Sequence, residues 1–287
     1  MQVNGLGLVG QYMYPILLRI GNYELPSNVA LIAVAGLVSV LYFRFLTKRM
    51  GLDSADHYWF LLNVIGLSGF LGGRLLSLLL HPVSFRSSAN IWEALTSAKE
   101  GLATYGVLAG VLAGVYFASR RLKLGFPHLL DYVCLVVPVG HGIARLGCFL
   151  TGCCYGRVTD GHLPWAVSFV DPTCAVPAAL RGSGLHPTQL YEVAGNALLA
   201  ALLYFVILPS VEKRSMPSGS VAGAYFAGYG IVRLAVDNFR GDPDPLAING
   251  VTLAQSLSMA SILCAAIFLC RACRRPNSSF VNKQPQY

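Results

Sequence analysis

Seven apolar stretches, each of about 20 residues, constrain the fold of this chain more than any other feature. An α-helix rises about 1.5 Å per residue, so this length crosses the hydrocarbon core of a bilayer. The stretches lie at about 27–46, 58–80, 101–119, 127–152, 188–208, 219–239 and 251–270. Only 12% of the residues are charged, against about 25% in soluble domains. The sequence therefore predicts an all-α polytopic membrane protein with about seven transmembrane helices.

The basic residues indicate the orientation of these helices. Twelve of the 21 lysines and arginines fall in alternate connections or in the C-terminal tail, namely Arg44, Lys48, Arg49, Arg120, Arg121, Lys123, Lys213, Arg214, Arg271, Arg274, Arg275 and Lys283. Short loops rich in lysine and arginine are cytoplasmic. We therefore expect the N-terminus outside and the C-terminus inside. The net charge of +8 then reflects topology, and we expect no nucleic-acid partner.

The chain is predicted to form one transmembrane domain over residues 1–275. The connection 153–187 is rich in glycine, proline and other turn residues, which favours a small extracytoplasmic cap with short strands or helical turns. A second external piece is expected at 81–100. Residues 276–287 are polar and are predicted to be a disordered cytoplasmic tail.

Ionisable and polar residues of several predicted helices fall at one depth, near their external ends. They are Arg74, Tyr105, Arg145, Gln189, Tyr191, Glu192, Arg233, Asp237 and Arg240. Charges inside a membrane are costly and usually functional. The arginines outnumber the carboxylates, which indicates an anion such as a phospholipid phosphate, because a guanidinium binds phosphate through two parallel hydrogen bonds. The alternative is that each arginine snorkels to the headgroups or pairs within the protein.

Five motifs in a fixed order carry a resemblance to a known family. They are "GGRL" at 72–75, "DYV" at 131–133, "ARLGCFLTGCCYGR" at 144–157, "HPTQLYE" at 186–192 and "GYGIVRLAVDNFR" at 228–240. With this set, most of the chain resembles prolipoprotein diacylglyceryl transferase. The resemblance implies transfer of diacylglycerol from phosphatidylglycerol to the thiol of a lipobox cysteine in a preprolipoprotein, with release of glycerol 1-phosphate.

The resemblance also implies roles for individual residues. By position, the catalytic residues are Arg145, Arg233 and Tyr105. The implied substrate-binding residues are Arg74, Gly156, Arg157, His186, Gln189, Tyr191, Glu192, Tyr229, Asp237 and Arg240. The expected partners are phosphatidylglycerol, the lipobox peptide and membrane lipids. We expect a monomer without a cofactor in the bacterial inner membrane, with its active site open to the outer leaflet and the periplasm.

Three positions depart from the family pattern. Cys148 and Cys153 stand where well-studied members have Asn and Glu, and Tyr105 replaces a histidine that is often proposed as the base. A tyrosine usually has a pKa of about 10, so the group that deprotonates the acceptor thiol is unassigned. His141, about one turn from Arg145, is a possible substitute, although a histidine that packs between helices is the simpler interpretation.

The cysteines allow several interpretations. The spacing of Cys148, Cys153 and Cys154 does not match a zinc site built from paired motifs, so we expect no metal. A disulfide from Cys174 to Cys153 or Cys154 is plausible in an oxidising compartment. A thiolate near Arg145 with a role in the chemistry, or simple packing, also remain open.

Two other functions fit the sequence. One is a related lipid-using membrane transferase with a different acceptor, suggested by the replaced residues at 105, 148 and 153. The other is a non-catalytic membrane protein or transporter that binds anionic phospholipids. A transporter needs a polar path to the cytoplasm, and Asp131 is the main polar residue at the inner depth, so we rank it last.

Overall fold

A computed structural model describes residues 14–21, 23–80, 103–161, 163–242 and 252–274. The predicted external piece at 81–100 and the predicted tail at 276–287 lie outside the described residues. The described part is mostly helical, as the apolar stretches predict. Its helices are α1 (Ser27–Arg49), α2 (Ala55–Leu80), α3 (Thr104–Arg121), α4 (Phe126–Thr151), α5 (Thr188–Leu202), α6 (Leu208–Glu212), α7 (Ser220–Asp237) and α8 (Leu253–Arg274).

Four helical segments in the described ranges are long and apolar enough to cross a membrane. They are Ser27–Arg49, Ala55–Leu80, Phe126–Thr151 and Thr188–Glu212, and the last of them runs through α5, a π-helical turn at Leu203–Ile207, and α6. These segments agree with the prediction of a mostly helical membrane protein. The full number of seven spans and their orientation stay predictions.

A β-hairpin precedes the first helix and was not predicted. Strand β1 (Ile16–Ile20) pairs antiparallel with β2 (Tyr23–Pro26), and the backbone N–H of Ser27 donates to the carbonyl of Pro15 at 3.0 Å. Arg19 and Glu24 face each other on the two strands and form an exposed ion pair at 3.1 Å. The hairpin thus leads directly into the start of α1.

The chain forms two compact units, one made of residues 40–133 and the other of residues 1–39 with 134–287. Within the first unit, α2 and α3 pack closely along their glycines. A Cβ at Gly106 would lie 2.7 Å from Leu76 Cβ and 2.9 Å from the carbonyl carbon of Gly72, so only glycine permits this approach. The interpretation of residues 1–275 as a single domain stays a prediction.

The second unit contains α5, α7 and α8, with α7 packed against both of the others. Residues 153–187 have isolated bridges at 158 with 185 and at 167 with 185, and one 3-10 turn at Ala178–Leu180. Their core is a cluster of buried side chains, namely Tyr155, Val167, Phe169, Cys174, Val176 and Leu185. This segment connects the end of α4 to the start of α5, and its position outside the membrane stays a prediction.

Candidate active site

One buried carboxylate joins three helices in the second unit. Glu192 lies near the start of α5, and its side chain is only 2% exposed. Its Oε1 accepts a hydrogen bond from Nη1 of Arg233, on α7, at 2.8 Å. Its Oε2 forms an ion pair with Nε of Arg145, on α4. Since buried charges are stable when they are paired and hydrogen-bonded, this triad fixes both guanidinium groups in place.

Further contacts orient Arg233 from its other side. Its Nη2 lies 3.3 Å from Asp237 Oδ1, one helical turn further along α7. The hydroxyl of Thr252, just before α8, donates to Asp237 Oδ2 at 3.0 Å. The hydrogen bond from Thr252 to Asp237 and the ion pair of Asp237 with Arg233 therefore hold the guanidinium group of Arg233 in place.

Two ring side chains lie beside Arg145. Its Nε donates to Nε2 of His141, one turn earlier on α4, at 3.1 Å. His141 Nε2 also lies 3.8 Å from Glu192 Oε2, and the imidazole centre is 5.4 Å from the ring of Tyr229. His141 thus contacts both Arg145 and Glu192 within the site.

Arg240 follows α7 and is held by a carboxylate that the sequence analysis did not include. Its Nε donates to Asp242 Oδ1 at 2.8 Å, and its Nη2 pairs with Asp242 Oδ2. This is the two-point geometry that arginine forms with carboxylates and phosphates. Arg240 also pairs through its backbone with Gly156 in a short antiparallel bridge.

Two side chains in the first turn of α5 form hydrogen bonds to the loop that follows α4. Gln189 Nε2 donates to the carbonyl of Cys153, and Thr188 Oγ1 donates to the carbonyl of Cys154, each at 2.8 Å. Both side chains are at least 98% buried. Cys154 has a φ of 57°, in the left-handed region that non-glycine residues seldom adopt. The two bonds therefore hold the cysteine loop in a strained conformation.

Gly156 is the point of closest approach between three segments. The carbonyl of Phe239 accepts from the backbone N–H of Arg157 at 2.8 Å, and the carbonyl of Arg157 accepts from the N–H of His186 at 3.1 Å. A Cβ at Gly156 would lie 2.6 Å from His186 Cβ and 2.9 Å from the Phe239 carbonyl oxygen. No side chain fits there without moving the backbone.

An aromatic group lies around His186. Its Nδ1 is 3.2 Å from the hydroxyl of Tyr191, and that hydroxyl accepts from Nε1 of Trp165 at 2.8 Å. The ring of Phe239 is 5.0 Å from the imidazole, and the guanidinium of Arg157 lies 5.4 Å from the centre of the same phenyl ring. Partial burial and the charge of Arg157 lower the pKa of His186 below its usual value.

A cleft with little enclosed space lies among these groups. Its lining comprises Arg145, Cys154, Thr188, Gln189, Glu192, Val236 and Arg240. The cleft thus brings the side chains of Arg145, Glu192 and Arg240 to one surface. The Oε1 atom of Gln189, one of these residues, is buried and has no hydrogen-bond partner in the described part of the chain.

The excess of arginines over carboxylates at this site is smaller than the sequence indicated, because Asp242 adds a carboxylate and Arg74 belongs to the other unit. The ionisable side chains in the second unit's site are Arg145, Arg157, Arg233 and Arg240 with Glu192, Asp237 and Asp242. The arginines thus exceed the carboxylates by one. Internal pairing, the alternative raised from the sequence, is present for Arg145, Arg233 and Arg240.

Three thiols converge next to the cleft. The sulfurs of Cys148, Cys153 and Cys154 all lie within 4.8 Å of one another, and Cys153 Sγ is 3.5 Å from the hydroxyl of Thr151. Cys174 is instead buried in the core of the 153–187 segment. All the cysteines that the structure describes are free thiols, so the disulfide considered for Cys174 is not formed in this structure.

Most of the predicted site residues come together in the second unit. The contacts above join Arg145, Gly156, Arg157, His186, Gln189, Tyr191, Glu192, Tyr229, Arg233, Asp237 and Arg240, with Cys148, Cys153 and Cys154 alongside. Arg74 and Tyr105 belong to the other unit. There Arg74 is 2% exposed on α2 and Tyr105 is 40% exposed on α3.

Sequence reasoning did not identify Thr188, Asn196 and Asp242 as site residues. Asn196 is fully buried and its Nδ2 donates to the carbonyl of Glu192 at 2.8 Å. Its position four residues after Glu192 places it on the same face of α5, which is a signal that the sequence contained. For Asp242, the sequence signal was its position two residues after Arg240, which is close enough for the two side chains to pair.

Comparison with known proteins agrees with these motifs. Residues 15–271 match the family model described as prolipoprotein diacylglyceryl transferase. Three relatives are each named phosphatidylglycerol--prolipoprotein diacylglyceryl transferase. The Geobacter sulfurreducens protein is 35% identical over 89% of this chain and 91% of its own length. The Clostridium tetani protein is 30% identical over 88% and 94%, and the Proteus mirabilis protein is 32% identical over 75% and 76%. The chain belongs to the prolipoprotein diacylglyceryl transferase family.

Proposed function

We propose that this chain transfers the diacylglyceryl group of phosphatidylglycerol to the lipobox cysteine of preprolipoproteins. The relatives carry this activity in their names. The observation that carries the proposal is the sharing of Glu192 by Arg145 and Arg233, beside a cleft that Arg145 and Glu192 line. The site thus offers oriented guanidinium groups where a phosphate leaving group needs them.

The reaction requires a thiolate and a stabilised leaving group. The acceptor thiolate attacks the glyceryl carbon that is bonded to the phosphate oxygen. A C–S bond forms, the C–O bond breaks, and glycerol 1-phosphate leaves with the electron pair. The thiol proton is released, and it balances the extra negative charge of the phosphate product. Donors that are already oriented towards developing charge in a water-poor site lower such a barrier strongly.

We assign the phosphate to Arg145 and Arg233, with Arg240 beside it. Arg145 and Arg240 both line the cleft, together with Glu192. Glu192 keeps the first two guanidinium groups oriented before substrate arrives, and Asp237 does the same for Arg233. Preorganisation of this kind reduces the cost of ordering the donors when the phosphate binds.

The aromatic group is the proposed contact for the headgroup and the acceptor peptide. His186 and Tyr191 are joined by a hydrogen bond, and Trp165 is 55% exposed at its edge. Arg157 and Tyr229 complete the proposed substrate-binding residues of this unit, and Gly156 permits the backbone approach that closes it.

Arg74 and Tyr105, both in the first unit, have proposed roles that rest on the resemblance alone. In this assignment Arg74 contributes to lipid binding, and Tyr105 presents a hydroxyl to the substrate. A phenol that ionises near pH 10 is a poor proton acceptor at neutral pH. The proposal therefore gives Tyr105 a hydrogen-bonding role.

We further propose that the protein crosses the bacterial inner membrane seven times as a monomer, with the N-terminus outside and the site open to the outer leaflet. Alternate loops rich in lysine and arginine support this orientation. The 153–187 segment would then lie in the periplasm, where preprolipoproteins present their lipobox.

A transfer assay with purified protein tests the function. Protein in detergent is incubated with radiolabelled phosphatidylglycerol and a lipobox peptide, and lipidated peptide and glycerol phosphate are measured together. We expect equal amounts of both products, and none with a peptide in which serine replaces the cysteine. Lipid transfer to other thiols but not to lipobox peptides would indicate a different acceptor. The absence of any transfer by folded protein would overturn the proposal.

A further inference from the structure

The three thiols beside the cleft form a cluster with the chemistry of a metal site. Cys148 lies in the last turn of α4, and Cys153 and Cys154 follow the end of that helix. Their sulfurs lie within 4.8 Å of one another, and no histidine or carboxylate belongs to this group in the described part of the chain. Three sulfur ligands in a compact group match zinc and other thiophilic ions.

The distances fit zinc after a small adjustment. A Zn–S bond is about 2.3 Å, so sulfurs around a tetrahedral ion lie about 3.8 Å apart. Small rotations of the cysteine side chains, which move each sulfur by at most about one ångström, would bring the sulfurs to this separation. The loop that carries two of the ligands is already held by the bonds from Thr188 and Gln189. The hydroxyl of Thr151, 3.5 Å from Cys153 Sγ, supplies the kind of outer partner that orients a metal ligand.

The electrostatic surroundings suit a cluster of thiolates. Three thiolates and one divalent ion together carry one negative charge. Cys154 lines the same cleft as Arg145 and Arg240, so cationic groups lie near this charge. Protein zinc sites with three ligands characteristically keep a fourth position for a substrate or water. Here Cys154 places one ligand of the cluster at the cleft in which transfer is proposed to occur.

We propose that Cys148, Cys153 and Cys154 bind a zinc ion whose fourth ligand is the acceptor cysteine of the lipobox peptide. This inference rests on the proposed function. A thiol that coordinates zinc loses its proton. The acceptor thiol would thus enter the site as a zinc-bound thiolate and release its proton to solvent. Its sulfur then attacks the glyceryl carbon, the C–O bond to phosphate breaks, and the thioether product leaves the zinc with no oxidant or reductant involved.

Metal content and transfer are measured separately to test this inference. Full-length protein is purified under reducing conditions, loaded with zinc or with cobalt as a coloured substitute, and freed of loose ions. The variants are Cys148→Ser, Cys153→Ser and Cys154→Ser. Cys264→Ser is the matched control, because that thiol is exposed on α8 and outside the cluster. Folding of each variant is checked by its thermal transition.

We expect one ion per chain and thiolate-to-cobalt absorption in the wild type and in Cys264→Ser. Each cluster variant should bind zinc more weakly, by at least the ~10–100-fold that loss of an outer partner costs. Chelation should abolish transfer, and added zinc should restore it. A lipobox peptide should change the cobalt spectrum, but the same peptide with serine in place of cysteine should not.

Two outcomes would overturn the proposal. One is a folded wild type that binds no zinc while mass spectrometry shows the three thiols reduced or joined as a disulfide. The other is wild-type transfer by the cluster variants. If the wild type binds zinc through the three thiols but transfers no lipid, the zinc site is confirmed. Its catalytic role is then rejected together with the proposed function.

Discussion

Glu192 Oε1 accepts a hydrogen bond at 2.8 Å from Arg233 Nη1, and the same carboxylate pairs through Oε2 with Arg145. The three residues come from different helices, and each side chain is at most 15% exposed. Folding of the second unit and assembly of the phosphate site therefore depend on the same ion triad. Stability and activity should respond together when it is disturbed.

Replacement of Glu192 by glutamine tests this coupling. Glu192→Gln leaves two buried guanidinium groups without their shared charge, and loss of one member of a buried ion pair typically costs about 3–5 kcal/mol. We expect a lower free energy of unfolding in detergent and a large loss of transfer. Glu24→Gln is the control because its ion pair with Arg19 is exposed, and such pairs contribute little. Unchanged stability of Glu192→Gln would contradict the account.

The close approach at Gly156 predicts an effect of a single methyl group. Gly156→Ala would place a Cβ 2.6 Å from His186 Cβ, and overpacking of this kind costs about 1–3 kcal/mol. We expect both a lower thermal midpoint and reduced transfer, since the segments at 156, 186 and 239 must separate. Gly36→Ala, where nothing lies within 4 Å, should be neutral or stabilising. Equal behaviour of the two variants would argue against this packing.

The hydrogen bond between His186 and Tyr191 predicts a pH dependence. The pKa of His186 is lowered in the folded protein by burial and by Arg157. The folded state thus binds the proton less readily than the unfolded chain, whose histidine has a pKa of about 6.5. The stability contributed by the neutral imidazole is present above that value and declines as the pH falls towards the lowered pKa. Transfer should decline over the same range.

His186→Gln removes this titration and keeps a hydrogen-bonding group. Measurement of transfer and thermal midpoint between mildly alkaline and mildly acidic pH should give a flatter profile for the variant than for the wild type. Asp160, which opposes the shift, provides a second comparison, since Asp160→Asn should lower the pKa of His186 further and extend the decline to lower pH. Superimposable profiles for the wild type and His186→Gln would exclude His186 as the titrating group.

The hydrogen bond from Thr188 to the cysteine loop predicts thiol reactivity. Thr188→Val keeps the shape of the side chain but leaves the buried carbonyl of Cys154 without its donor, at a cost of about 1–3 kcal/mol. The loop should open more often, and a maleimide should label Cys154 faster than in the wild type. Cys174 is buried in the core of the same 153–187 segment, and its labelling rate is the internal control. Equal acceleration at both thiols would indicate global unfolding instead.

The helices could be predicted well because each depends on local apolar length. The segment predicted at 27–46 is Ser27–Arg49, and the one at 127–152 is Phe126–Thr151. The hairpin at 16–26 was missed because its strands are too short to produce a clear alternating pattern. The π-helical turn at Leu203–Ile207 leaves no signal in apolar periodicity, since its side chains are as apolar as those of the flanking helices.

The sequence indicated which residues would lie near one another, but it did not indicate which of them would pair. The positions of Arg145, Arg233 and Glu192 along their helices follow from the sequence, whereas the contacts among them depend on helix rotation and packing. Asp242 changed the charge balance because it lies beyond the predicted span and turns back onto Arg240. The convergence of three thiols was missed for the same reason, since a sharp turn at Cys154 brings them together.

The rate of glycerol phosphate release by Arg145→Ala and Arg233→Ala is the most direct test of the central claim. Each variant should lose about 10²–10³-fold in kcat, as expected when one preorganised donor to developing charge is removed. The double variant should fall little further, because both residues act on one phosphate. Arg19→Ala, from the exposed pair, should match the wild type. Wild-type rates in either single variant, with its fold intact, would contradict the account.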